Sequence, residues 1–184
     1  MPFFKSLPDD AGPGDVFTAY PQIYGAWSTM SQALMNGPSP LSQGERELIL
    51  GYAAGVAGCR FVCVAHSAVA YAWGFEHGLV ERLLEDAETA PVETRLKPLL
   101  AYVRKLMLTP GEMSQEDADA VLAAGWTEQA LHDAIAVTAR AAFMQRLVEG
   151  HGFVPMSHEV AAERARRRLE LGYVNLYPTL RDRK

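Results

Sequence analysis

The residues of this chain that could do chemistry crowd into one stretch, from Glu47 to His66. It holds both cysteines, Cys59 and Cys63, a carboxylate, Glu47, and one of five histidines, His66. A helix turns about 100° per residue, so Cys59, Cys63 and His66 fall within a narrow arc of one helix. The thiolate, not the thiol, is the nucleophile. Cys59, in the first turn, would sit near free backbone amides that favour an anion. His66 would accept or pass on a proton, and Glu47, one helix earlier, would orient it. Given a peroxide, a thiolate attacks oxygen and becomes a sulfenic acid. The second thiol then condenses to a disulfide, which an external dithiol reduces. The same residues admit a blander reading, because cysteine is among the most buried residue types and both thiols also read as core filler. Glu47, Cys59, Cys63 and His66 are of the types zinc accepts, but zinc cysteine pairs favour shorter separations on loops. No metal and no cofactor is assigned.

The surrounding chain sets limits. Its 184 residues suffice for one domain with a real core, and 49% apolar with 21% charged residues is ordinary for a soluble protein. A net charge of −5 gives no polyphosphate-binding surface, and the basic run Arg164–Arg168 lies between Glu163 and Glu170. No nucleic-acid partner is expected. The N-terminus lacks the apolar run of a signal peptide, and no stretch of about 18 apolar residues offers a membrane span. These features point to the cytoplasm, where two cysteines stay reduced unless they work.

Almost every apolar pattern repeats at helical spacing, which predicts an all-α protein of about eight helices. Residues 1–14 read as an extended arm whose Phe3, Phe4 and Leu7 pack on the body or on a neighbouring subunit. Asp15 is expected to cap a helix running to about Met35, with Tyr20, Tyr24, Trp27 and Met30 as an aromatic and apolar stripe. Ser42 and Glu45 form a capping box for a helix that fades at Gly58, and Gly58 allows a sharp entry into the cysteine helix. Further helices are expected at 79–87, 92–108, 114–123, 128–149 and 156–171, followed by a tail containing YVNLYP. No composition shift divides the chain, so 1–184 reads as a single domain with an N-terminal arm and a C-terminal helix and tail.

The segment GERELILGYAAGVAGCRFVCVAHSAVAYAWG resembles the alkylhydroperoxidase AhpD-like and carboxymuconolactone decarboxylase superfamily, in particular its peroxidase-related branch. Glu47, Cys59 and His66 stand where that pattern has its glutamate, first cysteine and histidine. RLKPLLAYVRKL, Ala124–Thr127, and Phe143 with Arg146 extend the likeness over roughly residues 20–155. The resemblance implies an AhpD-like orthogonal helical bundle and a homo-oligomer, a trimer or hexamer, with sites near subunit contacts. It further implies catalysis by Cys59, Cys63, His66 and Glu47 on a small hydroperoxide, with an external dithiol as reductant.

The chain departs from the pattern at one place. The second cysteine of the family falls at Val62, and the spacing here is Cys-x-x-x-Cys. On a regular helix, Cβ atoms at that spacing lie about 6 Å apart, against the ~3.8 Å a disulfide prefers. Two alternatives follow: a non-redox decarboxylase or isomerase acting on a small carboxylated lactone or related acid, or a catalytically silent member. A carboxylated substrate needs cationic partners, and Arg60, Arg140 and Arg146 are the candidates. Arg146 matches a family position and is preferred, with Tyr52, Trp27 and Tyr24 as pocket walls. His77, His132, His151 and His158 read as capping, surface or interface residues.

Overall fold

The computed structural model describes residues 1–177, and among them every regular element is helical. The helices are α1 (Pro13–Ala19), α2 (Pro21–Asn36), α3 (Gln43–Val56), α4 (Arg60–Ala72), α5 (Leu79–Glu85), α6 (Leu96–Leu108), α7 (Gln115–Ala123), α8 (Glu128–His151) and α9 (His158–Leu171). A 3-10 turn at Pro110–Glu112 precedes α7.

Local chemistry places most boundaries where the sequence does. The Ser42 hydroxyl accepts from the Glu45 amide at 3.1 Å, and the Glu45 carboxylate accepts from the Ser42 amide at 2.7 Å, starting α3. Thr127 and Ser157 cap α8 and α9 through the amides of Ala130 and Val160. Three expectations change. The helix expected from Asp15 to Met35 is two helices, because Pro21 has no N–H and disfavours helical geometry at Tyr20, which turns to φ −124°, ψ 59°. Asp15 is not the N-cap but lies inside α1, where it accepts from the Gly12 amide at 2.8 Å. The helix expected from residue 92 begins at Leu96, with Pro98 in its first turn, where a missing N–H breaks no helical bond.

The frame of the fold is the α3–α4 pair. Gly58, at φ +75°, turns the chain between them in the left-handed region that side chains avoid. The two helices run antiparallel: Gly55 faces Cys63, Gly51 faces Ser67, and Gly44 faces Trp73. A Cβ on Gly51 would lie 3.0 Å from the Ser67 backbone nitrogen, so the helices touch through bare backbone. A Gly51→Val variant is therefore expected to lose about 1–3 kcal/mol of stability, read as a lower urea midpoint. An unchanged midpoint would show that the pair can move apart freely.

Helices α6 and α8 pack on α3, and α9 packs on α4. Leu48, Ile49, Leu50, Leu99, Leu100, Val103 and Val137 are fully buried between them. The N-terminal arm lies on the end of α8: the Phe3 amide donates to the His151 carbonyl at 2.9 Å, and the Phe4 and His151 rings stand 5.0 Å apart. The part of the tail from residue 178 lies outside the described residues. Among the described residues no helix is long and apolar enough to cross a membrane.

Candidate functional site

Glu47, in the middle of α3, points toward α4. Its Oε2 lies 2.6 Å from Nδ1 of His66, and its Oε1 accepts the Tyr173 hydroxyl at 2.7 Å. All three residues are buried, Glu47 at 3% exposure and His66 at 5%. Tyr173 follows α9 and is held in place from α2. The Gln32 side chain accepts the Tyr173 amide at 2.6 Å, and the Ser28 hydroxyl donates to its carbonyl at 3.0 Å.

Two guanidiniums flank this centre. Arg140 of α8 and Arg168 of α9 stand 4.8 and 4.7 Å from the Tyr173 ring centre, within cation–π range. Arg140 also lies 5.6 Å from the Trp27 ring, and its Nε donates to the Ser31 hydroxyl at 3.2 Å. Beside these groups opens a cavity of about 450 Å³. Its wall includes Trp27, Val62, His66, Arg140, Arg168 and Tyr173.

The electrostatics fix the proton positions. Burial works against the Glu47 charge, but His66, Arg168 and the Tyr173 hydroxyl outweigh it, so the carboxyl titrates below its ordinary range. Burial lowers the His66 pKa to about 4; Glu47 opposes this, while Arg168 and Arg140 add to it. At neutral pH the pair is thus a carboxylate and a neutral imidazole. Nδ1 carries the proton donated to Glu47, which leaves the Nε2 lone pair as the free nitrogen of a ring that lines the cavity.

The depressed values carry a stability prediction. The unfolded chain protonates this histidine near its ordinary pKa, about 6.5. Between that value and about 4 the unfolded state binds more protons than the folded one, so stability falls as pH drops through this window. Glu47, lowered in the same sense, extends the loss to lower pH. Urea midpoints should decline from about pH 7 to about pH 4.5 in the native chain and decline less in a His66→Asn variant. Identical slopes would remove His66 as the cause.

Neither cysteine lies on the cavity wall among the described residues. The expected amide stabilisation of a Cys59 thiolate is overruled by burial: the side chain is fully enclosed at the N-cap of α4, and its pKa is pushed up to about 12. The Cys59 amide is itself used, donating to the Ala54 carbonyl at 2.9 Å. Cys63 is half-buried on the side facing Gly55 and Leu84, with its sulfur 3.8 Å from the Ser67 hydroxyl, and burial raises its pKa too. Both are free thiols. The narrow arc expected for Cys59, Cys63 and His66 conceals this separation. The cavity face of α4 runs through Val62, Ala65, His66 and Val69, and Cys63 is turned about 100° from Val62. Val62 thus occupies the cavity position where the family pattern would have its second cysteine. Glu47 and His66 meet, but the described residues hold no cluster of three or more His, Cys, Asp or Glu suited to a metal ion.

Of the expected wall residues, Trp27 lines the cavity, its ring 4.2 Å from that of Phe143 and tilted by 31°. Tyr24 is buried against Phe17 at 4.5 Å instead. Tyr52 is fully buried in the core, its hydroxyl without a hydrogen-bond partner among the described residues. Arg146 donates to the Ala142 carbonyl of its own helix at 2.8 Å, with no contact to Glu47. It lies six residues beyond Arg140, about 120° around α8, and so points elsewhere. Sequence reasoning missed Arg168 and Tyr173. Their positions, 121 and 126 residues after Glu47, carry no local signal; Arg168 lies in the basic run, and Tyr173 opens the tail stretch YVNLYP.

Solved structures share this arrangement of helices. A peroxidase-related protein of Ralstonia eutropha JMP134, described as an alkylhydroperoxidase AhpD core, superposes with a TM-score of 0.72 at 22% identity, covering 77% of this chain and 75% of its own. The chain has the AhpD-like helical fold. A peroxidase-related protein of Silicibacter sp. TM1040 shares it, with a TM-score of 0.68 at 23% identity over 83% of this chain and 91% of the other. No family model and no curated protein matches the sequence. The AhpD-like fold here therefore carries a buried Glu47–His66–Tyr173 centre, while its two cysteines sit outside the cavity.

Proposed function

We propose that the cavity supports non-redox acid–base chemistry, of the decarboxylase or isomerase kind, on a small organic acid or carboxylated lactone. The observation that carries this reading is the placement of His66: its Nδ1 lies 2.6 Å from the Glu47 carboxylate, and the same residue lines the cavity. In the proposed step, Nε2 takes a proton from a carbon next to a carbonyl. The electron pair of the broken C–H bond moves onto the carbonyl oxygen, and the new imidazolium is stabilised by the Glu47 carboxylate. Where a C=C bond is conjugated with the enolate, the electron pair returns from oxygen to re-form the carbonyl, the double bond shifts, and protonation of its far carbon by the imidazolium completes an isomerisation. Returning deuterium from solvent to the same carbon reports the step without turnover.

The test is proton–deuterium exchange in D2O, followed by NMR on a panel of small acids with a C–H bond beside a carbonyl. Exchange that depends on the protein and on His66 supports the reading; its absence across the panel contradicts it. The thiol peroxidase reading, with a hydroperoxide and an external dithiol, has less support. A buried thiol of pKa about 12 is a poor nucleophile, and the sulfurs are off the cavity. A catalytically silent protein is the second reading, favoured by the valine at position 62.

The same reading takes residues 1–184 as one cytoplasmic domain that assembles into a trimer or hexamer. Ile23 and Met30 of α2 and Phe143 of α8 are exposed and apolar, which suits burial against another copy. Light scattering on the purified chain tests this, and a monomer at all concentrations would contradict it.

A further inference from the structure

Arg140 is 5% exposed, and its charge has no carboxylate within ion-pair distance among the described residues. Its faces are occupied by Tyr173 and Trp27, and its Nε by Ser31. Nη1 is buried and has no hydrogen-bond partner among the described residues. A buried guanidinium donor without an acceptor is costly, and proteins seldom leave one so. The charge at this centre is also unbalanced: Arg140 and Arg168 give two positive charges and Glu47 one negative, a net of one positive. The exposed rim does not correct it, since Asp10 and Asp15 offset Arg164 and Arg167.

We infer that Arg140 Nη1, with the Ser31 hydroxyl held by Nε of the same guanidinium and Arg168 lining the same cavity, forms a subsite for one carboxylate, and that the cavity takes a small monocarboxylate with an apolar body. One anion removes the excess charge and gives Nη1 its missing acceptor. Ser31 accepts from Arg140 Nε and keeps its own O–H for the same ligand. Trp27, Phe61, Val62 and Met144 supply an apolar wall for the rest of the molecule. A cavity of about 450 Å³ is in the size range of small-molecule sites. The inference deepens the proposed function by naming the chemistry of its substrate. It rests on the cavity being the substrate site, but not on His66 acting as a base.

The experiment is calorimetric titration of the full chain with benzoate and with benzamide, its neutral counterpart. Benzoate should bind about tenfold or more tightly than benzamide, the effect of one or two charge-assisted hydrogen bonds in a buried site. Arg140→Gln should bring the two ligands to near equality, and Cys63→Ser, off the cavity wall, should keep the preference. Equal binding of both ligands by the native chain, binding of neither, or an undiminished preference in Arg140→Gln would overturn the subsite. Should Arg140→Gln fail to fold, Arg168→Gln at a half-buried position decides instead. It should weaken benzoate several-fold and leave benzamide unchanged, and unchanged benzoate binding overturns the subsite. A second readout lies at His66, whose ring is faced by Glu47 from α3, Arg140 from α8, and Arg168 and Tyr173 from α9 and its extension. Benzoate should raise the His66 pKa measured by NMR, since an anion offsets the two guanidiniums that lower it. Benzoate preference without proton exchange would retain the subsite and remove the base; exchange without the preference would do the reverse.

Discussion

A His66→Asn variant should lose proton exchange on a responsive substrate by about 10²–10⁴-fold, the usual contribution of a positioned general base. Asparagine is a fair control because its amide can still donate a hydrogen bond toward Glu47 but has no lone pair basic enough to take a carbon-bound proton. The imidazole owes its role to two fixed facts. Its Nδ1 is committed to Glu47 at 2.6 Å, which sets the tautomer, and its ring borders the cavity. Melting curves of the variant establish that the fold persists, and exchange rates in D2O supply the answer. A variant that exchanges as fast as the native chain would mean that another group takes the proton. Substitution of both cysteines by serine should leave exchange unchanged, because neither residue lies on the cavity wall.

Glu47→Ala should destabilise the chain by about 3–5 kcal/mol, the cost of removing one partner from a buried charged network. Three groups depend on this carboxylate. His66 Nδ1–H and the Tyr173 hydroxyl would lose their acceptors, and Arg140 and Arg168 would lose the negative charge nearest them. Glu47→Gln should cost less, since an amide oxygen still accepts one of the two hydrogen bonds while the charge is lost. Urea unfolding followed by circular dichroism gives both values. A loss under about 1 kcal/mol for Glu47→Ala would mean that the centre is solvated and relaxed, against its burial. The loss should be accompanied by weaker attachment of the segment after α9, because Tyr173 is tied to Glu47 through its hydroxyl and to α2 through its backbone.

His66 is expected to matter chiefly for rate, and Glu47 for both rate and stability. A peroxidase would show a different pattern, with cysteine substitutions dominating the rate. The geometry gives those substitutions little to act on: Cys59 is sealed at the start of α4, and Cys63 rests against Ser67 and Leu84.

By itself, the sequence determined the helical class, most helix ends and the α3–α4 pairing. These depend on neighbours a few residues apart: the Ser42–Glu45 box, Gly58 at a left-handed turn, and apolar residues at helical spacing. It also brought Glu47 and His66 together, because two helices joined by a tight turn must lie side by side. Only the tertiary structure decided which side of α4 borders the cavity. A rotation of about 100° between Val62 and Cys63 gains its meaning only when other helices pack around α4; it puts Val62 on the cavity wall beside His66 and leaves Cys63 off it. The structure also chose Arg140 over Arg146 and supplied Arg168 and Tyr173 from more than a hundred residues away. Hydrogen bonds and charge pairs of that range leave no periodic trace in a chain; they exist because α8 and α9 fold back over the pair that carries Glu47 and His66.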